Sequence, residues 1–191
     1  MRRRLGKWVL RLVGWQTAGE LPSRGTFIVI GAPHTSNWDF PLGLVAAAAF
    51  GVKISWLGKD ALFRWPLGGL MRWLGGIPVR RDRSEGAVQQ AADAFAAAES
   101  LILVIAPEGT RSRALFWKSG FYHIATAARV PIFPVYIDGP TRRVGAGPAI
   151  HPTGDVRRDM DVIRDFYADT RGIRPGNAGV VKLREENCSS H

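Results

Sequence analysis

The sequence has one cysteine among 191 residues, Cys188, close to its end. A disulfide within the chain is therefore excluded, and a lone thiol favours a reducing compartment. Acidic residues are scarce at the start: Glu20 and Asp39 are the only two in residues 1–52. Long apolar runs are missing as well. Spanning a bilayer takes ~20 apolar residues, whereas residues 40–52 form an uncharged run of 13, which suits a buried helix. Arg2, Arg3 and Arg4 precede a short apolar patch in the manner of a secretion signal. Arg11 interrupts that patch and no A-x-A site follows, so the segment is expected to be retained.

What is present is a core and an excess of positive charge. The chain is 46% hydrophobic and 22% charged, which excludes disorder as its main state and fits one domain. The formal net charge is +10. Residues 1–25 carry +5, residues 26–52 carry −1, residues 53–83 carry +5 and residues 84–191 carry +1. Two basic blocks ahead of residue 84 point to an anionic partner: nucleic acid, a phospholipid surface or a phosphorylated substrate.

Along residues 2–16, Leu5, Trp8, Val9, Leu12 and Val13 recur at helical spacing, with Arg4, Lys7 and Arg11 on the other face. That pattern suits the surface of an anionic bilayer, or a helix laying its stripe on the protein's own core. Beyond Pro22, strands at residues 26–30, 53–57, 77–81, 101–106 and 132–137 alternate with helices at 40–50, 60–74, 84–100, 119–129 and 155–169. Asp39 is placed to cap the helix over 40–50. The alternation predicts an α/β class: a single layered domain with a mostly parallel central sheet flanked by helices, plus the N-terminal amphipathic helix. The expected division is a docking helix over 1–22, the domain over 23–170, and a polar tail over 171–191 with little to bury.

Four segments stand out. His34-x4-Asp39 follows a strand and precedes a helix, and its spacing lets a carboxylate hold one imidazole nitrogen while the other acts as a base. Ser36 lies beside them, but no G-x-S-x-G elbow supports a serine nucleophile. Glu108-Gly109-Thr110-Arg111-Ser112 ends the strongest strand. Gly109 allows a tight turn, Arg111 can grip a phosphate through two N–H groups, and Thr110 and Ser112 add hydroxyls. Gly75-Gly76-Ile77-Pro78-Val79-Arg80-Arg81 pairs arginines behind a Gly-Gly turn, which can form an anion site or stand as an exposed basic turn. Val130-Pro131-Ile132-Phe133-Pro134-Val135 carries no chemistry and can wall a pocket or simply pack. His123, His151 and the terminal Cys188 and His191 have no partner motif, and no metal site is expected.

Taken in order, these four boxes resemble the glycerolipid acyltransferase family, the relatives of 1-acylglycerol-3-phosphate acyltransferase, over about residues 26–138. The departures are Pro33 before the histidine and Pro78 in the second box. The resemblance implies His34 as general base for an acceptor hydroxyl and Asp39 as its partner. It implies Arg81, Glu108, Gly109, Thr110, Arg111 and Ser112 in substrate binding. The donor would be acyl-coenzyme A or acyl carrier protein, with no tightly bound cofactor. The acceptor would be a lysophospholipid, and the expected location is peripheral, on the cytoplasmic face of a membrane, without nucleic acid. A transacylase that needs no coenzyme A, an amine or glycan acceptor, and a non-catalytic lipid- or nucleic-acid-binding protein stand as alternatives.

Overall fold

The computed structural model describes residues 2–79 and 84–187. Seven strands form one sheet in the order β1-β7-β6-β2-β5-β3-β4. They are β1 (Gln16–Ala18), β2 (Thr26–Ala32), β3 (Ile54–Lys59), β4 (Gly76–Val79), β5 (Leu101–Ile105), β6 (Ile132–Asp138) and β7 (Arg143–Ala146). Strands β2 to β6 run parallel, while β7 is antiparallel to β6 and parallel to β1. The helices are α1 (Arg2–Leu12), α2 (Asp39–Phe50), α3 (Gly68–Trp73), α4 (Ser84–Ala97), α5 (Gly120–Ala128) and α6 (Val156–Tyr167). The α/β class and the mostly parallel sheet expected from the alternation are those observed.

The central strand β2 reads as a continuous apolar run because both of its faces are covered. Ile28, Ile30 and Ala32 face one core with α4, α5 and α6, which supply Phe95, Phe121, Ile124, Met160 and Ile163. Phe27 and Val29 face the other core beside Ala46, Ala47 and Phe50 of α2. Alternation along one strand thus assigns its side chains to two helical layers. Asp155 caps α6, its side chain accepting from the Arg158 N–H.

Four expectations change. First, β1 and β7 escape sequence reading because each is short, and β7 is Arg-Val-Gly-Ala. Gly145 in β7 is required because a side chain there would collide with the Tyr136 ring. Second, the helix over 60–74 is split into a 3-10 turn over Asp60–Phe63 and the short α3. Third, Asp39 does not cap α2: it is that helix's first residue, and its carboxylate turns back to the preceding loop. Fourth, residues 171–187 do bury side chains. Leu183 is fully enclosed in the α4–α6 core and forms a bridge to Trp117.

Helix α1 packs against α2. It does so along Gly6 and Leu10, not along its hydrophobic stripe. Gly6 sits so close to Ala48 and Ala49 that a Cβ there would strike their backbone. The alanines of α2 permit this approach, and Leu5, Trp8 and Leu12 remain exposed.

Candidate active site

In a parallel sheet, the loops leaving the carboxyl ends of the strands share one edge, where α/β proteins bind ligands. Here β2 delivers residues 33–38 to that edge and the neighbouring β5 delivers residues 106–113. The Ala32–Pro33 bond is cis. His34 Nδ1 lies 3.1 Å from Asp39 Oδ2. The same oxygen accepts the backbone N–H groups of Thr35 at 2.7 Å and Ser36 at 2.8 Å. These three contacts fix the carboxylate, and its place at the amino end of α2 sets it in the favourable end of the helix dipole. The Asp39 side chain is 5% exposed and that of His34 22%. With Nδ1 engaged, the imidazole turns its Nε2 away from the pair, and no described residue bonds to it. Such a histidine can take a proton at Nε2.

Glu108 is buried and accepts the backbone N–H of His34 at 3.0 Å through Oε1. Burial pushes its carboxyl above the ordinary range, against the lowering effect of that hydrogen bond. Asp39 Oδ1 and Glu108 Oε2 at this edge are buried and find no hydrogen-bond partner among the described residues. Leaving a buried polar group unpaired costs ~1–3 kcal/mol, so each such oxygen calls for a reason.

Downstream of Glu108 the loop opens to solvent. Gly109 adopts φ +64, its N–H bonding to the Ala106 carbonyl at 3.1 Å. The Ser112 N–H bonds to Thr110 Oγ1 at 3.2 Å. Thr110, Arg111 and Ser112 are exposed. No described acid pairs with Arg111, so its guanidinium is available to an anion.

Of the residues singled out in the sequence, the fold therefore joins His34, Asp39 and Glu108 directly and sets Gly109, Thr110, Arg111 and Ser112 beside them. Arg81, and Arg80 before it, lie outside the described residues, as do Cys188 and His191. Ser36 Oγ is buried and accepts the Trp38 N–H at 3.2 Å, which makes it part of the loop's own wiring. His123 and His151 are exposed, and no described hydrogen bond joins either to this constellation.

The residues that support this loop leave no mark in the sequence. Thr35, fully buried, is gripped by the segment after α6: its Oγ1 accepts the Arg174 N–H at 3.0 Å and its carbonyl the Asn177 Nδ2 at 3.1 Å. The Tyr167 hydroxyl donates to the Ile30 carbonyl at 2.7 Å and accepts the Val135 N–H at 3.1 Å, tying β2 to β6. Burial raises that phenol far above its ordinary value. Lys118 reaches over the turn, its Nζ 3.0 Å from where a Cβ on Gly109 would stand. The contacts of Thr35 and Tyr167 have no sequence signature, because each joins segments far apart in the chain.

An α/β domain that holds an imidazole by a carboxylate at the carboxyl edge of its sheet has the geometry that general-base chemistry requires. The sequence model of the Acyltransferase family matches residues 16–138. The chain belongs to that family and is an acyltransferase. It is 31% identical over 171 residues to the 1-acyl-sn-glycerol-3-phosphate acyltransferase of Escherichia coli K12, covering 81% of this chain and 67% of the relative. It is 31% identical over 120 residues to the enzyme of the same description from Salmonella typhimurium, where the match spans 59% of this chain and 47% of the relative. In fold it is similar to the crystal structure of PlsC, the 1-acyl-sn-glycerophosphate (LPA) acyltransferase from Thermotoga maritima, with a TM-score of 0.63. That likeness comes with 22% identity and covers 88% of this chain and 77% of the other.

Proposed function

We propose that this acyltransferase moves a fatty acyl group from an acyl thioester to the free hydroxyl of 1-acylglycerol-3-phosphate. The observation that carries the reading is the Asp39–His34 pair at the sheet edge, beside the loop of Glu108 and Arg111. His34 Nε2 takes the proton of the acceptor hydroxyl as its oxygen attacks the thioester carbonyl. The carbon–sulfur bond breaks, and the imidazolium returns that proton to the leaving thiolate. Asp39 keeps Nδ1 protonated and offsets the charge that develops on the ring. Arg111, with Thr110 and Ser112, holds the acceptor phosphate, and Gly109 lets the substrate approach the backbone. Arg81 joins them in this reading, on the resemblance of its box alone. The donor is a coenzyme A or acyl-carrier-protein thioester, and no step calls for a tightly bound cofactor.

The same reading puts the protein on a membrane surface. In α1, Trp8 is 58% and Leu12 65% exposed, with Arg4, Lys7 and Arg11 alongside. An amphipathic helix of this kind lies in the interface of an anionic bilayer. No helix among the described residues is long and apolar enough to cross one.

The test is mass spectrometry of products after incubation with acyl-coenzyme A and a panel of lysolipids. Phosphatidic acid formed from 1-acylglycerol-3-phosphate, and lost in His34→Ala with folding intact, supports the proposal. Acylation of an amine, a glycan or a non-phosphorylated lipid alone refutes the acceptor, and full activity in His34→Ala refutes the mechanism.

A further inference from the structure

Between β3 and β4 the chain makes an excursion over residues 60–75 that leaves the same carboxyl edge as the His34 and Glu108 loops. It folds around one aromatic. Phe63 is buried, stacks near Trp56 at 5.9 Å and lies under the Arg72 guanidinium at 5.6 Å. Gly68 presses against the Phe63 backbone so closely that a Cβ there would collide with it. Trp56 in turn meets Phe40 of α2 edge-on at 5.3 Å, which seats the excursion on the α2 face of the sheet.

With Phe63 turned inward, the other large side chains are held outward. Trp65 is 94% and Trp73 80% exposed, and Leu62, Leu67 and Leu70 are exposed too. Monomeric proteins rarely leave so many large apolar side chains of one short segment in water without a partner. The described charges on the segment are Arg64, Arg72 and Asp60. Arg72 bonds to the carbonyls of Phe63 and Gly68 and meets no described acid. Tryptophan and leucine among arginines suit the interface of an anionic bilayer, where indole sits at headgroup depth and guanidinium meets phosphate.

The strand order gives this patch a second meaning. β1 and β4 are the outer strands, with β2 and β5 between them. Gln16, where β1 starts, pairs with Arg143, which pairs with Asp138 at the carboxyl end of β6. The junction of α1 and β1, with Leu12 and Val13 exposed, therefore also lies at the site edge. We propose that Leu62, Trp65, Leu67, Leu70 and Trp73 form a second bilayer-inserting element, so that α1 and this excursion seat the protein on anionic lipid on either side of α2 and turn the His34 edge toward it. This rests on the reading of α1 as a docking helix and extends it to an occupant for the second patch.

The experiment is co-sedimentation of the full chain with vesicles of phosphatidylcholine, alone or mixed with phosphatidylglycerol. Three variants are compared with the parent: Trp65→Ser/Trp73→Ser, Trp8→Ser/Leu12→Ser, and Arg64→Gln. The first should lower the partition coefficient roughly tenfold on mixed vesicles. It should keep the parent's circular dichroism and its turnover of a short-chain, water-soluble acceptor. Arg64→Gln should weaken binding to the mixed vesicles only. If the Trp65/Trp73 variant partitions as the parent does, the element is not a bilayer contact. If it instead abolishes a concentration-dependent dimer, the patch binds a second copy and the proposal is overturned. Loss of vesicle binding in the α1 variant alone would support α1 and refute the excursion. Failure of the parent to turn over the soluble acceptor would count against the proposed acceptor and leave the vesicle result standing.

Discussion

The backbone N–H of His34 is hydrogen-bonded to the side chain of Glu108 at 3.0 Å, joining residues 74 apart in sequence. A single carboxylate thereby locks the loop after β2 to the loop after β5. The imidazole is held from two sides, through its ring by Asp39 and through its backbone by Glu108. Glu108 thus positions the histidine in addition to any contact with substrate.

Removing either member of the pair should separate chemistry from folding. His34→Ala is expected to lower kcat about 10²- to 10⁴-fold, the range of general-base assistance. Asp39→Asn retains an oxygen for the Thr35 and Ser36 N–H groups but removes the charge facing the imidazolium. It should lower kcat by at least about 10²-fold with a small change in melting temperature. Steady-state kinetics beside thermal melts check both.

Glu108→Gln predicts a pH-dependent stability difference. The folded carboxyl is raised by burial. A carboxyl raised in the folded state is best tolerated at low pH, and stability is lost as pH rises through the folded value. The variant should melt higher than the parent at neutral pH, and the gap should close as pH falls below the ordinary carboxylate range. Melts across that window test it, and a gap that widens on acidification contradicts the assignment.

Arg111 should matter through the acceptor's phosphate. Arg111→Ala is expected to raise the KM for 1-acylglycerol-3-phosphate roughly tenfold, in line with losing a charge-assisted contact. A non-phosphorylated acceptor, if turned over at all, should show no such change. Equal effects on both acceptors would place Arg111 elsewhere than on phosphate.

Leu183→Ala tests whether the segment over 171–187 belongs to the folded body. Leu183 is fully buried beside Trp117. Truncating it should cost about 2–5 kcal/mol, as for other buried leucines. Because the same segment grips Thr35 through Arg174 and Asn177, activity should fall as well. Denaturant unfolding together with kcat measures the two effects.

Gly6→Val tests the seating of α1. A side chain at residue 6 has no room against Ala48 and Ala49. The variant should release α1 from α2, seen as faster proteolysis within residues 2–12, while the sheet and its melting transition persist.

Much of this was legible in the residue order. β2, β5 and β6 are apolar runs bounded by turn residues, and α6 has its cap and period, so each reports its own conformation. β1 and β7 carry no such mark, because they are short and owe their strand geometry to pairing with neighbours. His34 and Asp39 could be paired on paper because four residues separate them across a strand-to-helix turn. The Glu108 bond to His34 and the Asn177 bond to Thr35 could not, since nothing local encodes contact between distant segments.

The sequence by itself determined the alternation of strands and helices, the hydrophobic stripe of α1, and the proximity of a histidine to its carboxylate. All of these follow from periodicity or short spacing, which backbone geometry converts directly into structure. Only the tertiary structure decided that α1 seats itself by Gly6 and Leu10 and leaves its stripe outside. It likewise decided that Phe63 turns in while Trp65 and Trp73 turn out, and that the supposed tail closes on Thr35. Burial is a property of a pair of surfaces, and a periodic pattern shows that a face exists without saying what will cover it.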